Sequence, residues 1–63
     1  MTQPTFTAEP DSFGVMSVHR RGVWLPLGSA KLLYPMLMET KQLQPLAREL
    51  ADVIRIVEEA NHA

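Results

Sequence analysis

Along residues 13–27 apolar and polar positions alternate with a period of two. Phe13, Val15 and Ser17 alternate with Gly14, Met16 and Val18, and Val23, Leu25 and Leu27 alternate with Trp24 and Pro26. Such a period predicts two half-buried β-strands. Between them, His19-Arg20-Arg21-Gly22 has the spacing of a type I turn closed by a glycine in the left-handed region, so the pair is expected to form a hairpin. Pro26 has no N–H for a strand ladder, so it marks the second strand as an edge or as ending there.

After the hairpin the period lengthens. Gly28-Ser29 offers a stop followed by an N-cap, because the serine hydroxyl accepts a free backbone N–H. A first helix is expected over 28–43, kinked at Pro35 or beginning there, with the kink favoured, because the proline ring removes one helical hydrogen bond. The second helix, 45–61, is the clearest element. Pro45 suits a first helical position, and Leu46, Leu50, Val53, Ile54 and Val57 form one apolar stripe with Ala47 and Ala51 beside it. Arg48, Asp52, Arg55 and Glu59 make a ladder of opposite charges on another face, as an ordinary solvated helix surface does.

Residues 1–12 carry two prolines, three threonines, Glu9 and Asp11, with Phe6 as their one large apolar group. This composition predicts a flexible tail before a single domain at 13–63. The sharper reading is an arm that places Phe6 in a partner's pocket. The expected fold is therefore α+β: an N-terminal β-hairpin followed by two α-helices, ββαα.

The run from Leu32 to Met38 contains no charge. A helix that is apolar on every side must be buried on every side, and one hairpin with one further helix covers about half of it. A second copy about a two-fold axis is the simplest cover. We therefore expect a homodimer with a shared helical core and an interface of Leu33, Tyr34, Met36, Leu37, Val53, Ile54 and Val57. Length points the same way, because a 63-residue chain buries only about 60% of its unfolded surface and is marginal alone. The chain has no cysteine, so disulfides and thiolate zinc sites are excluded as its supplement.

Composition adds limits. A hydrophobic share of 46% is ordinary for a folded chain. The net charge of −1 gives no global pull towards nucleic acid or an anionic membrane. No apolar run reaches a membrane span, and the N-terminus lacks a signal peptide's basic start and apolar stretch, so a cytoplasmic location is expected. Charge is nonetheless uneven. Residues 13–28 carry +2 from Arg20 and Arg21, whereas 45–63 carry −2.

Enzymatic chemistry finds no footing. His19 and His62 are the only histidines, and neither has a ligand partner at metal spacing. Ser12, Ser17 and Ser29 belong to no evident triad, and the three glycines form no phosphate loop. We expect no catalytic residues, no metal and no cofactor. The candidate partner-binding residues are His19, Arg20, Arg21 and Trp24, since arginine and tryptophan are the types most enriched at binding hot spots. A Trp-bearing edge strand with arginines at its tip suits addition to a partner's sheet or docking in an acidic cleft. Equally, the tip can be charged because it is wet, and Trp24 can pack on the helices.

These features predict a non-enzymatic protein-binding module, acting as inhibitor, adaptor or regulatory subunit of a larger protein. Compact inhibitors encoded by phages and mobile elements have this size and character. The alternative is a dimeric DNA-binding regulator. "VWLP", then a helix, a turn and "PLARELADVIR", resembles the element order of ribbon-helix-helix repressors over 23–59. That resemblance implies a paired strand reading the major groove. Val23-Trp24-Leu25-Pro26 brings no polar side chain to read a base, which favours the protein partner.

Overall fold

The computed structural model describes residues 3–62 of the chain. Strands β1 (Phe6–Pro10), β2 (Met16–Arg20) and β3 (Val23–Leu25) form an antiparallel sheet in the order β1-β2-β3. Helix α1 (Leu27–Met38), a 3-10 turn (Lys41–Leu43) and helix α2 (Gln44–Asn61) follow. The domain is α+β, a three-stranded sheet followed by two helices. No helix among the described residues is long and apolar enough to cross a membrane.

The largest departure from expectation is β1, which lies inside the segment read as a tail. Met1 and Thr2 of that segment lie outside the described residues, but Phe6 is only 3% exposed and sits in the core. Ladder pairing with β2 aligns Phe6 with Arg20, Ala8 with Val18 and Pro10 with Met16. The strand's start is also tied to α2, because the Phe6 N–H donates to Glu49 Oε1 at 2.6 Å. Sheet pairing, one buried ring and one charged acceptor order a segment whose composition alone argues for disorder.

The hairpin forms at the expected tip, between β2 and β3, but with a tighter turn. Arg20 pairs with Val23, so only Arg21 and Gly22 lie between the strands. Both have positive φ, 50° and 81°. This is the signature of a type I′ turn, whose twist matches that of the flanking strands. The expected type I turn with a single left-handed glycine is thereby corrected. Phe13 and Val15, expected in the first strand, lie in the β1–β2 connection instead.

Helix α1 starts earlier than Ser29. Pro26 is its N-cap residue, with no side-chain cap, and the Ala30 N–H donates to the Pro26 carbonyl at 2.9 Å. Pro35 lies within the helix, which runs on to Met38 and stops short of the expected 43. Having no N–H, Pro35 leaves the Lys31 carbonyl without its usual helical donor. Helix α2 matches the expected span, with Pro45 in its first turn.

The helices cover one face of the sheet. Helix α2 lies against β1 and β2, while α1 packs chiefly on α2. Phe6 and Val18 from the sheet, Ala30 from α1, and Leu50, Val53, Ile54 and Val57 from α2 form the buried cluster. Asn61 Nδ2 donates to the Met16 carbonyl at 3.0 Å, and Lys31 meets Glu58 at 2.9 Å between the two helices.

Candidate interaction surface

Strand alternation assigns each side chain to a face, because paired residues point the same way. Phe6, Ala8, Met16, Val18 and Leu25 turn towards the helices. Thr7, His19 and Trp24 form a row on the opposite face, with Glu9 and Ser17 as the neighbouring pair. Among the described residues no helix packs on that face; the loop between β1 and β2 borders it.

The loop is organised by Asp11. Its Oδ1 accepts from the Phe13 N–H at 2.8 Å and from the Val15 N–H at 3.0 Å, and its Oδ2 accepts from Ser17 Oγ at 3.3 Å. The Gly14 N–H donates to the Asp11 carbonyl at 3.0 Å, which closes a β-turn with Gly14 at a φ of 80°. The backbone hydrogen bond from Val15 is the main cause holding the Asp11 carboxyl below its ordinary pKa. Partial burial opposes it, and Phe13, Ser17 and the nearby His19 reinforce it. The loop is thus a built structure, and it presents Phe13 at 89% exposure.

Asp11, Ser12, Phe13, His19, Gly22 and Trp24 together line a depression of about 360 Å³. Trp24 is 57% exposed, so it belongs to the surface. His19 is half-buried, and its Nε2 is fully covered without a hydrogen-bond partner. Arg21 lines the neighbouring cleft with Thr7, Glu9 and Gly22. Arg20 stands apart, because its pairing with Phe6 and Val23 turns it to the helix side of the sheet. It meets Trp24 only around the edge, in a hollow shared with Arg21, Val23 and Leu25.

Of the four candidate binding residues, then, the structure unites His19 and Trp24, sets Arg21 next to them and separates Arg20. Phe13 and Asp11, outside the expected set, line the same depression. The signal for them is Pro10-Asp11-Ser12-Phe13-Gly14, with aspartate opening a turn and glycine ending it. Such a turn lifts the residue before the glycine into solvent.

The expected dimer residues divide differently. Val53, Ile54 and Val57 are 2–9% exposed within one chain, where they pack against the chain's own core. Leu33, Tyr34 and Leu37 are half-buried against the same cluster. Met36 alone of the seven is open, at 64%, and Leu32, at 71%, accompanies it.

The sheet edges are poorly suited to adding a strand. Strand β3 has three residues, and its two-residue turn points Val23 and Leu25 at β2, leaving only Trp24's N–H and C=O facing outwards. On β1 the outward Phe6 N–H is taken by Glu49 and Pro10 has none, which leaves Ala8 as the one outward N–H of that strand. Short strands, prolines and a capping carboxylate blunt an edge. Because β3 is paired with β2 of its own chain, the strand implied by the ribbon-helix-helix resemblance is already engaged on one side.

Among the described residues no three His, Cys, Asp or Glu side chains converge as a metal site would require. Compared with protein-family models, with curated proteins and with solved structures, the chain finds no match in any of the three.

Proposed function

We propose that this protein is a non-enzymatic binding module that covers a site on a larger protein, acting as an inhibitor, adaptor or regulatory subunit through the open face of its sheet. One observation carries this reading. Phe13 and Trp24, the first on a turn fixed by Asp11, stand exposed around the depression that His19 also lines. Aromatic rings held on rigid elements contribute large contact areas with little loss of freedom on binding, and aromatic and arginine anchors dominate interface energetics. Arg21 beside the depression, with Arg20 around the edge, favours an acidic rim on the partner.

The test compares the wild-type protein with Phe13→Ala, Trp24→Ala and Arg20→Ala/Arg21→Ala as bait in the same lysate. These residues are exposed, so the variants keep their helical signal. A partner held by the wild type and lost by Phe13→Ala and Trp24→Ala supports the reading. Equal retention by all variants refutes it. A parallel titration with random-sequence duplex DNA separates the nucleic-acid alternative. Binding that weakens steeply with salt and disappears in the double arginine variant would put DNA in the partner's place.

A further inference from the structure

Helix α1 has a second open face, on the far side from its packing against α2. Gly28, Ser29, Leu32, Pro35, Met36 and Glu39 are all exposed and fall on one side of the helix. Only Glu39, at its end, is charged. We propose that a second copy of this chain docks here, the two α1 helices packing antiparallel about a two-fold axis at Leu32. This surface is separate from the sheet face, so the inference stands independently of the function proposed above.

Size complementarity supports this occupant. With Leu32 on the axis, Gly28 and Met36 lie about 6 Å to either side at 1.5 Å per residue. An antiparallel copy then sets each Met36 over the other chain's Gly28, a long flexible side chain over a position with none. Nothing in the chain's own fold requires that glycine. Its φ is not in the left-handed region, and an added Cβ would meet no atom within 4 Å. Gly28 lies in the first turn of the helix, and its missing side chain leaves room for close approach from outside.

Charge supports the same register. Helix α1 has no side-chain cap and no acidic residue in its first turn. The antiparallel copy brings its Glu39 to that end, where the free N–H groups and the helix dipole favour a carboxylate.

Sedimentation or light-scattering mass across a concentration series tests this, with far-UV circular dichroism reporting the fold. The wild type is expected at twice the 7.1 kDa chain mass. Leu32→Glu and Gly28→Leu should fall to the single-chain mass with their helical signal intact, because neither position is buried in the protomer. Met36→Ala should weaken the dimer. Combining Gly28→Leu with Met36→Ala should restore it, the leucine filling the space the methionine leaves. A wild type at single-chain mass throughout, or a dimer indifferent to Leu32→Glu or Gly28→Leu, overturns the proposal. So does a dimer broken by Trp24→Ala instead, which would move self-contact to the sheet face. A double variant that fails to recover overturns the antiparallel register.

Discussion

The two phenylalanines of this chain occupy opposite extremes, Phe6 at 3% exposure and Phe13 at 89%. Replacing each by alanine therefore gives a matched pair of perturbations. Phe6 packs in the cluster of Val18, Leu50, Val53 and Val57, between β1 and α2. A phenylalanine buries about 150–250 Å², and at about 25 cal/mol per Å² this corresponds to roughly 4–6 kcal/mol as an upper bound. Measured truncations of buried phenylalanines cost about 3–5 kcal/mol, cavity included. A 63-residue domain has about 3–9 kcal/mol of stability in all, so Phe6→Ala should consume most of it. Phe13→Ala should stay within about 0.5 kcal/mol, as substitutions at exposed positions do. Urea and thermal unfolding followed by circular dichroism read the difference. At about 4–8 °C per kcal/mol for a domain of this size, Phe6→Ala should lower Tm by more than about 10 °C or abolish the transition. A shift below about 0.5 kcal/mol would mean that β1 is not part of the folded unit and that residues 6–10 are the tail their composition suggests.

Three further outcomes follow from local geometry. Glu49→Ala removes the acceptor of the Phe6 N–H and should cost about 1.5–3 kcal/mol in the same unfolding assay, while an unchanged midpoint would show that β1 does not depend on it. Arg21→Asn should stabilise the hairpin by about 0.5–1 kcal/mol, because Arg21 sits at a φ of 50° and asparagine tolerates that region better; a lower Tm would refute the two-residue turn. Asp11 has a lowered pKa in the folded protein, so its stabilising contribution is present above the ordinary carboxylate range. It is lost as pH falls through the lowered value. Wild-type stability should thus decline more on acidification than that of Asp11→Asn, and parallel acid limbs for the two proteins would refute the loop's dependence on the carboxylate.

How much of the surface could be read in advance differs from element to element. His19 and Trp24 stand together because they are cross-strand partners, a relation that depends on register. The sequence pattern leaves that register open. Around β2, residues of both parities are apolar, Val15 on one and Met16 and Val18 on the other, so the expected strand over 13–18 did not choose a face. A slip of one residue turns every side chain over. Arg20 and Trp24 accordingly looked like one cluster and lie on opposite faces. Phe13 looked like the start of a strand because it alternates correctly; it is in a turn because Asp11 collects two backbone N–H groups there. On α1 the choice of face was not readable either. A helix apolar all round has no stripe, and packing selected Ala30, Leu33, Tyr34 and Leu37 while leaving Leu32 and Met36 in solvent.

By itself the sequence determined the elements whose signals are local. The apolar stripe from Leu46 to Val57 made α2 with its buried side known, Pro45 marked its first turn, and Gly22 marked the hairpin tip. Each of these follows from backbone geometry over a few residues. Packing between distant segments makes Phe6–Pro10 a strand, sets which side of α1 faces solvent, and chooses the side chains around His19. These depend on contacts between residues far apart in the chain, above all Phe6 with Glu49 and with the α2 stripe, and local composition carries no record of such contacts.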